Sequence, residues 1–189
     1  MLWASAVALP LIALGAIGVA VGTSGPSGPA HHSAPSGQPL PAVTAPAPPY
    51  AARFAAQCTK VLQRLPVQLH GLAPRVVHTT PDTPFVVAWG DPPVILRCGV
   101  GRPAALHPGS SAQLLSATGS AGPYFAVTRS GDDEVWTVVD RAVYIAIAVP
   151  ARYASSPVPP LARAISAALP PVCTTDYTAP LSKRCTRCP

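Results

Sequence analysis

Leu2 to Val21 is an unbroken run of twenty apolar or small residues. The hydrocarbon core of a bilayer is spanned by about 20 residues of helix. Residues 1–22 are therefore expected to form a single membrane-spanning anchor. Pro10 interrupts the run, and a membrane helix tolerates proline better than a soluble one does. A cleaved signal peptide has a shorter apolar region and a basic start. Ala20-Val21-Gly22 still offers a small-x-small cleavage site, so a secreted form is the alternative. No cysteine follows the run closely, which leaves no lipoprotein signal. The nearest basic residue is Arg53, so flanking charge gives no orientation.

Residues 23–49 read as a linker. They hold eight prolines among Gly, Ser and Ala, with few side chains able to build a core. Such a segment is extended and semi-rigid, at about 3.1 Å per residue. His31-His32 lies within it without further ligands at zinc spacing. All thirteen basic and seven acidic residues fall beyond Ala52, so the net charge of +6 belongs to the remainder. That remainder is long enough for one modest core. Its basic residues are scattered and not interleaved with aromatics, which argues against nucleic acid as a partner.

Residues 50–170 are expected to form an α+β two-layer domain, a mainly antiparallel sheet covered by an N-terminal and a C-terminal helix. Phe54, Cys58, Val61, Leu62 and Leu65 make one apolar helical stripe, stopped by Pro66. Phe85–Trp89 and Val94–Cys98 read as strands around the turn Gly90-Asp91-Pro92-Pro93. Further strands are expected at 124–128, 135–139 and 143–149, with a weak signal at Leu114-Leu115. Asp140-Arg141 is either a tight turn or a bulge. Ala146 and Ala148 share a strand face and imply that something packs close to it. The second helix carries Leu161, Ile165 and Leu169 in a stripe, capped by Ser155 or Ser156 and ended by Pro170-Pro171.

The block Trp89-Gly90-Asp91-Pro92-Pro93, then Leu96-Arg97-Cys98-Gly99-Val100, resembles the domain of unknown function 3515 family of actinobacterial envelope proteins. Cys58 ahead of Leu65-Pro66 fits the same pattern, as does Val149-Pro150-Ala151-Arg152-Tyr153. The likeness covers about residues 50 to 170. It implies a membrane or lipoprotein segment and an envelope location, and it adds no activity.

Five cysteines behind an export segment point to disulfides. Cys58 on the helix stripe and Cys98 at a strand end are natural partners if the helix packs on the sheet. The alternative is a pair of buried free thiols. In the tail, residues 171–189, Cys173 is expected to pair with Cys185 or Cys188. Cys185 and Cys188 form a CxxC, which raises a thiol-disulfide role or half a zinc site.

No sequence motif for hydrolysis, phosphate-loop or dinucleotide chemistry occurs. Asp91 before Pro92 is expected to hold its own turn through backbone N–H groups. Trp89 and Trp136 are read first as core aromatics. Arg97 and Arg141, flanked by strand residues, want partners, with Asp91 or Asp140 the candidates. The leading expectation is a membrane-tethered, extracytoplasmic, non-catalytic binding or accessory module of the cell envelope. No cofactor or metal is expected. Its partner would be an envelope or membrane protein or a cell-wall component. The alternatives are a binder of small molecules or wall fragments, weakly hydrolytic, at Trp89, Asp91, Arg97 and Arg141, or a thiol-disulfide protein.

Overall fold

The computed structural model describes residues 39–104, 106–107, 113–114 and 122–172, the pair 113–114 by its backbone. The expected membrane segment, His31-His32 and the tail cysteines lie outside the described residues. In chain order the elements are Val43–Thr44 (β1), Ala55–Leu62 (α1), Pro74–Arg75 (β2), Val77–His78 (β3), Val86–Trp89 (β4) and Val94–Cys98 (β5). Gln113–Leu114 (β6), Tyr124–Ser130 (β7), Asp133–Val138 (β8), Ile145–Pro150 (β9) and Val158–Ala168 (α2) complete them. Among the described residues no helix is long and apolar enough to cross a membrane.

Seven of these strands form one antiparallel sheet in the order β2-β4-β5-β9-β8-β7-β6. The β4–β5 hairpin turns at Gly90, whose φ of +75 is a left-handed conformation open to glycine at little cost. β7 and β8 are joined by Gly131 and Asp132 alone, since Ser130 pairs with Asp133. That is the two-residue hairpin loop, and Gly131 takes its positive φ. β5 is the non-consecutive neighbour of β9, with Leu96 opposite Ile147 and Cys98 opposite Ile145.

Directly opposed residues share a face of an antiparallel sheet. One face therefore carries Val94, Leu96, Cys98, Trp136, Val138, Ile145, Ile147 and Val149. Both helices pack against it: Cys58 and Val61 of α1, and Val158, Leu161, Ala162 and Ile165 of α2, join the same buried cluster. Phe125 and Trp136 meet edge to face at 5.9 Å within it. Each fully buried aliphatic side chain contributes about 1.5–3 kcal/mol. This is the α+β, two-layer arrangement expected from the strand and stripe pattern. The opposite face carries Ala146, which is buried, and a smaller cluster of Leu106, Tyr124, Ala126 and Val139 with Tyr144 against it.

Three local features differ from the sequence reading. The packed chain begins before residue 50. β1 pairs in parallel with β3, and Val43 and Ala45 are buried. Two prolines near this strand do not prevent it, because a two-residue edge pairing leaves their missing N–H groups out of the ladder. Asp140-Arg141 lies in a loop between β8 and β9, neither a tight turn nor a bulge. Neither Ser155 nor Ser156 caps α2. Pro157 occupies the cap position, and the Ser156 hydroxyl donates to the Tyr153 carbonyl at 2.9 Å.

Candidate functional site

Cys58 and Cys98 are joined in a disulfide, with their Cα atoms 5.7 Å apart and a separation of 40 positions in sequence. The bond fastens α1 to the end of β5. The chain on either side of it forms the walls of a cleft of about 410 Å³. Tyr50, Arg53 and Phe54, from the turn entering α1, make one wall. Val100 and Arg102, just past Cys98, make the next. Arg141 to Tyr144, from the β8–β9 loop, and Val172 close it.

Backbone bonds fix these walls to one another. Tyr50 N–H donates to Gly99 O at 2.9 Å. Gly99 and Val100 both donate to Tyr144 O, at 3.0 and 3.2 Å. A side chain at residue 99 would meet the incoming segment, because a Cβ there lies 2.7 Å from Ala51 N. Glycine in a left-handed conformation is thus what lets the two walls touch.

Among the described residues, the cleft lining holds three arginines and no carboxylate. Arg53 is exposed and stacks over the Phe54 ring, 5.3 Å from its centroid. Arg102 is exposed and donates to Leu106 O at 3.1 Å. Arg141 is buried, with 1 % of its side chain accessible. Its Nη1 donates to the Asp140 carboxylate at 2.7 Å and to the Asp140 carbonyl at 3.1 Å. Its Nε is buried with no hydrogen-bond partner among the described residues. The other Asp140 oxygen accepts the Tyr124 N–H at 3.0 Å, and the Asp140 carbonyl also accepts the Val172 N–H at 2.9 Å. Burial pushes the Asp140 carboxyl above its ordinary value of 3.8, and the adjacent Arg141 guanidinium only partly offsets this.

Of the pairings expected from sequence, Arg141 with Asp140 is formed. Asp91 instead takes Arg75, at 3.2 Å, and makes no bond to the backbone of its own turn among the described residues. Arg75 is the element the sequence reading missed. It also donates to Gly90 O and, through two nitrogens, to Pro41 O, so it clamps the Pro-rich entry segment to the β4–β5 turn. Arg97 is half-buried, and its side chain makes no hydrogen bond or ion pair among the described residues. Trp89 is buried, with Nε1–H donating to Val67 O at 3.2 Å. Trp89 opposes Val94, whereas Arg97 opposes Val86, so the two side chains lie on opposite faces of the sheet. A site made by Trp89, Asp91 and Arg97 together is not assembled; of the four expected residues Trp89, Asp91, Arg97 and Arg141, only Arg141 lines the cleft.

The turn block has a structural use. Tyr153 donates its hydroxyl to Pro92 O at 3.0 Å, and Arg152 donates to Asp91 O at 3.3 Å. Gly90 leaves room for Tyr153, since a Cβ there would stand 3.0 Å from its hydroxyl. Thus Trp89 to Pro93 and Val149 to Tyr153, distant in sequence, hold each other.

Two other hollows frame the choice of site. One of about 790 Å³ lies by the β7–β8 turn and mixes Asp132, Asp133 and Glu134 with Arg129 and Arg152. The other is an apolar groove of about 270 Å³ beside Trp89. Among the described residues, no three His, Cys, Asp or Glu side chains stand together as metal ligands.

The fold and its disulfide define a small α+β domain stapled between its first helix and the centre of its sheet. Residues 7–173 match the family described as "Protein of unknown function (DUF3515)", and the chain belongs to that family. The match begins inside the apolar run and ends at Cys173, short of the CxxC. No curated protein and no solved structure matches the chain.

Proposed function

We propose that this protein is a non-catalytic binding or accessory module of the cell envelope, held to the membrane by residues 1–22 and facing the extracytoplasmic side. The observation that carries this reading is the Cys58–Cys98 bond and its position. Disulfides persist in oxidising compartments, and this one joins the two walls of the arginine-lined cleft. The apolar length of Leu2–Val21 supports the tether, and the linker supplies reach. The cleft has the size of a small-ligand site and convergent charged groups on a partly aromatic lining.

The test is a photo-crosslinking residue placed at Ala142, which is exposed at the cleft, in the full chain in intact cells. A reproducible adduct is expected from position 142 and not from exposed Ala167 on α2. No adduct above the Ala167 control would count against the reading.

A further inference from the structure

The buried guanidinium of Arg141 is tied at one nitrogen and left unpaired at another. Nη1 donates to the Asp140 carboxylate at 2.7 Å and to the Asp140 carbonyl at 3.1 Å. Asp140 is fixed in turn by the N–H groups of Tyr124 and Val172. These bonds set the plane of the guanidinium, whose N–H donors form a rigid fork. Nε–H and Nη2 share the edge that Asp140 does not occupy. Nη2 reaches the Ser166 hydroxyl only at 3.5 Å, and Nε is buried with no acceptor among the described residues. An unpaired buried donor is costly, so a ligand oxygen that reaches it gains more than one meeting a solvated donor. Arg141 lines the cleft together with the rings of Tyr50, Phe54 and Tyr144. The charge of this donor is already balanced by the Asp140 carboxylate. An anion on the same guanidinium would stand beside that carboxylate and be repelled. An uncharged acceptor therefore suits the free edge better.

We propose that the cleft binds an uncharged amide, its carbonyl oxygen accepting from the Arg141 Nε–H and its flat face laid against the aromatic lining. A carbonyl is an acceptor alone and brings no proton to the donor edge. Its planar amide packs on the rings of Tyr50, Phe54 and Tyr144, and the cleft of about 410 Å³ has room for a small ligand. Nε itself is covered, so the carbonyl enters only as a lining residue shifts. The amide rests on reading the cleft as the binding surface. Its chemistry is shared by an N-acetylated sugar and by a peptide.

The experiment follows the arginine Nε–H signals of the isotope-labelled full chain by NMR in a non-ionic detergent. N-acetylglucosamine, N-acetylalanine methylamide, glucose and acetate are added in separate titrations. The Arg141 signal is the one lost in Arg141→Lys, which keeps a cation beside Asp140 without the Nε–H. If that variant does not fold, the Nε–H slowest to exchange with solvent identifies it, since this donor is buried. Saturable movement of the signal by at least one amide is expected, with no response to glucose and acetate weaker by about 10-fold or more. A sugar source predicts that N-acetylglucosamine binds more tightly than the peptide analogue, and a peptide source predicts the reverse. Equal binding supports the amide as the shared ligand. Arg141→Lys, where folded, is expected to weaken amide binding by about 10-fold. Arg163→Gln, at an exposed arginine on α2, is expected to leave it unchanged. Failure of both amides to saturate, binding that leaves the Nε–H signal unmoved, or an equal response to glucose or acetate overturns the proposal. A crosslink from Ala142 without amide binding would reject the ligand class and leave the binding surface standing; loss of both would remove the surface too.

Discussion

A methyl group added at Gly99 would press on the Ala51 amide nitrogen from 2.7 Å and would sit on a backbone with φ of +90. Both penalties act on one residue, so Gly99→Ala is expected to destabilise the chain by about 2–4 kcal/mol. Urea unfolding measures this as a lower midpoint at unchanged slope; an unchanged midpoint would mean that Tyr50–Ala51 does not cross there. The Asp140 carboxyl offers a second test. Its folded value lies above 3.8, so the folded chain keeps a proton that the unfolded chain has lost. Stability from this group therefore falls as pH rises from 3.8 through the raised folded value. Asp140→Asn cannot titrate, and it leaves Arg141 without its carboxylate partner. The variant is expected to be less stable than wild type at neutral pH, and the gap should widen as pH is lowered toward 4. Parallel stability curves between pH 4 and 7 would show that burial does not raise Asp140. Arg141 and its partner Asp140 were legible from sequence because they adjoin within a strand-rich run. Arg75 was not, because a two-residue strand between loops gives no period to read.

Among elements, the strands with continuous β-rich runs were the legible ones. β5 spans the residues expected for it, and β4 begins one residue late. The stripe on α2 buries Leu161 and Ile165 fully, as its spacing implied. β1, β2 and β3 were missed, since Pro-rich or short segments look like linker until their partners are known. The Cys58–Cys98 bond was legible because a cysteine on an apolar helix stripe must face the sheet that covers it. Replacing both with serine is expected to cost about 4 kcal/mol in the chain-entropy account of a loop of this size, read as a shift in unfolding free energy. A loss near zero would contradict a staple between α1 and β5. Tyr153→Phe removes the bond to Pro92 O and is expected to cost about 1 kcal/mol. If Tyr153→Phe unfolds at the wild-type midpoint, the two motif blocks do not brace each other through this hydroxyl.

At the scale of the whole molecule, residues 1–52 carry no Lys, Arg, Asp or Glu, and every such residue falls in the remainder of the chain. The cleft itself was not legible beforehand. Tyr50, Arg53, Arg102 and Tyr144 come from separate stretches, and only the pairing of β5 with β9 and the crossing at Gly99 bring them together. The visible signal was Cys98-Gly99, where a disulfide end adjoins a residue without a side chain. Protease added to spheroplasts is expected to digest residues beyond 50, and their full protection would place the domain on the inner side. The disulfide links this placement to the fold and to the cleft, so it is the most direct point to measure. The chain, isolated from native membranes with its thiols blocked and digested without reductant, is predicted to yield one linked peptide pair joining Cys58 to Cys98. Recovery of both cysteines as blocked free thiols would contradict the account.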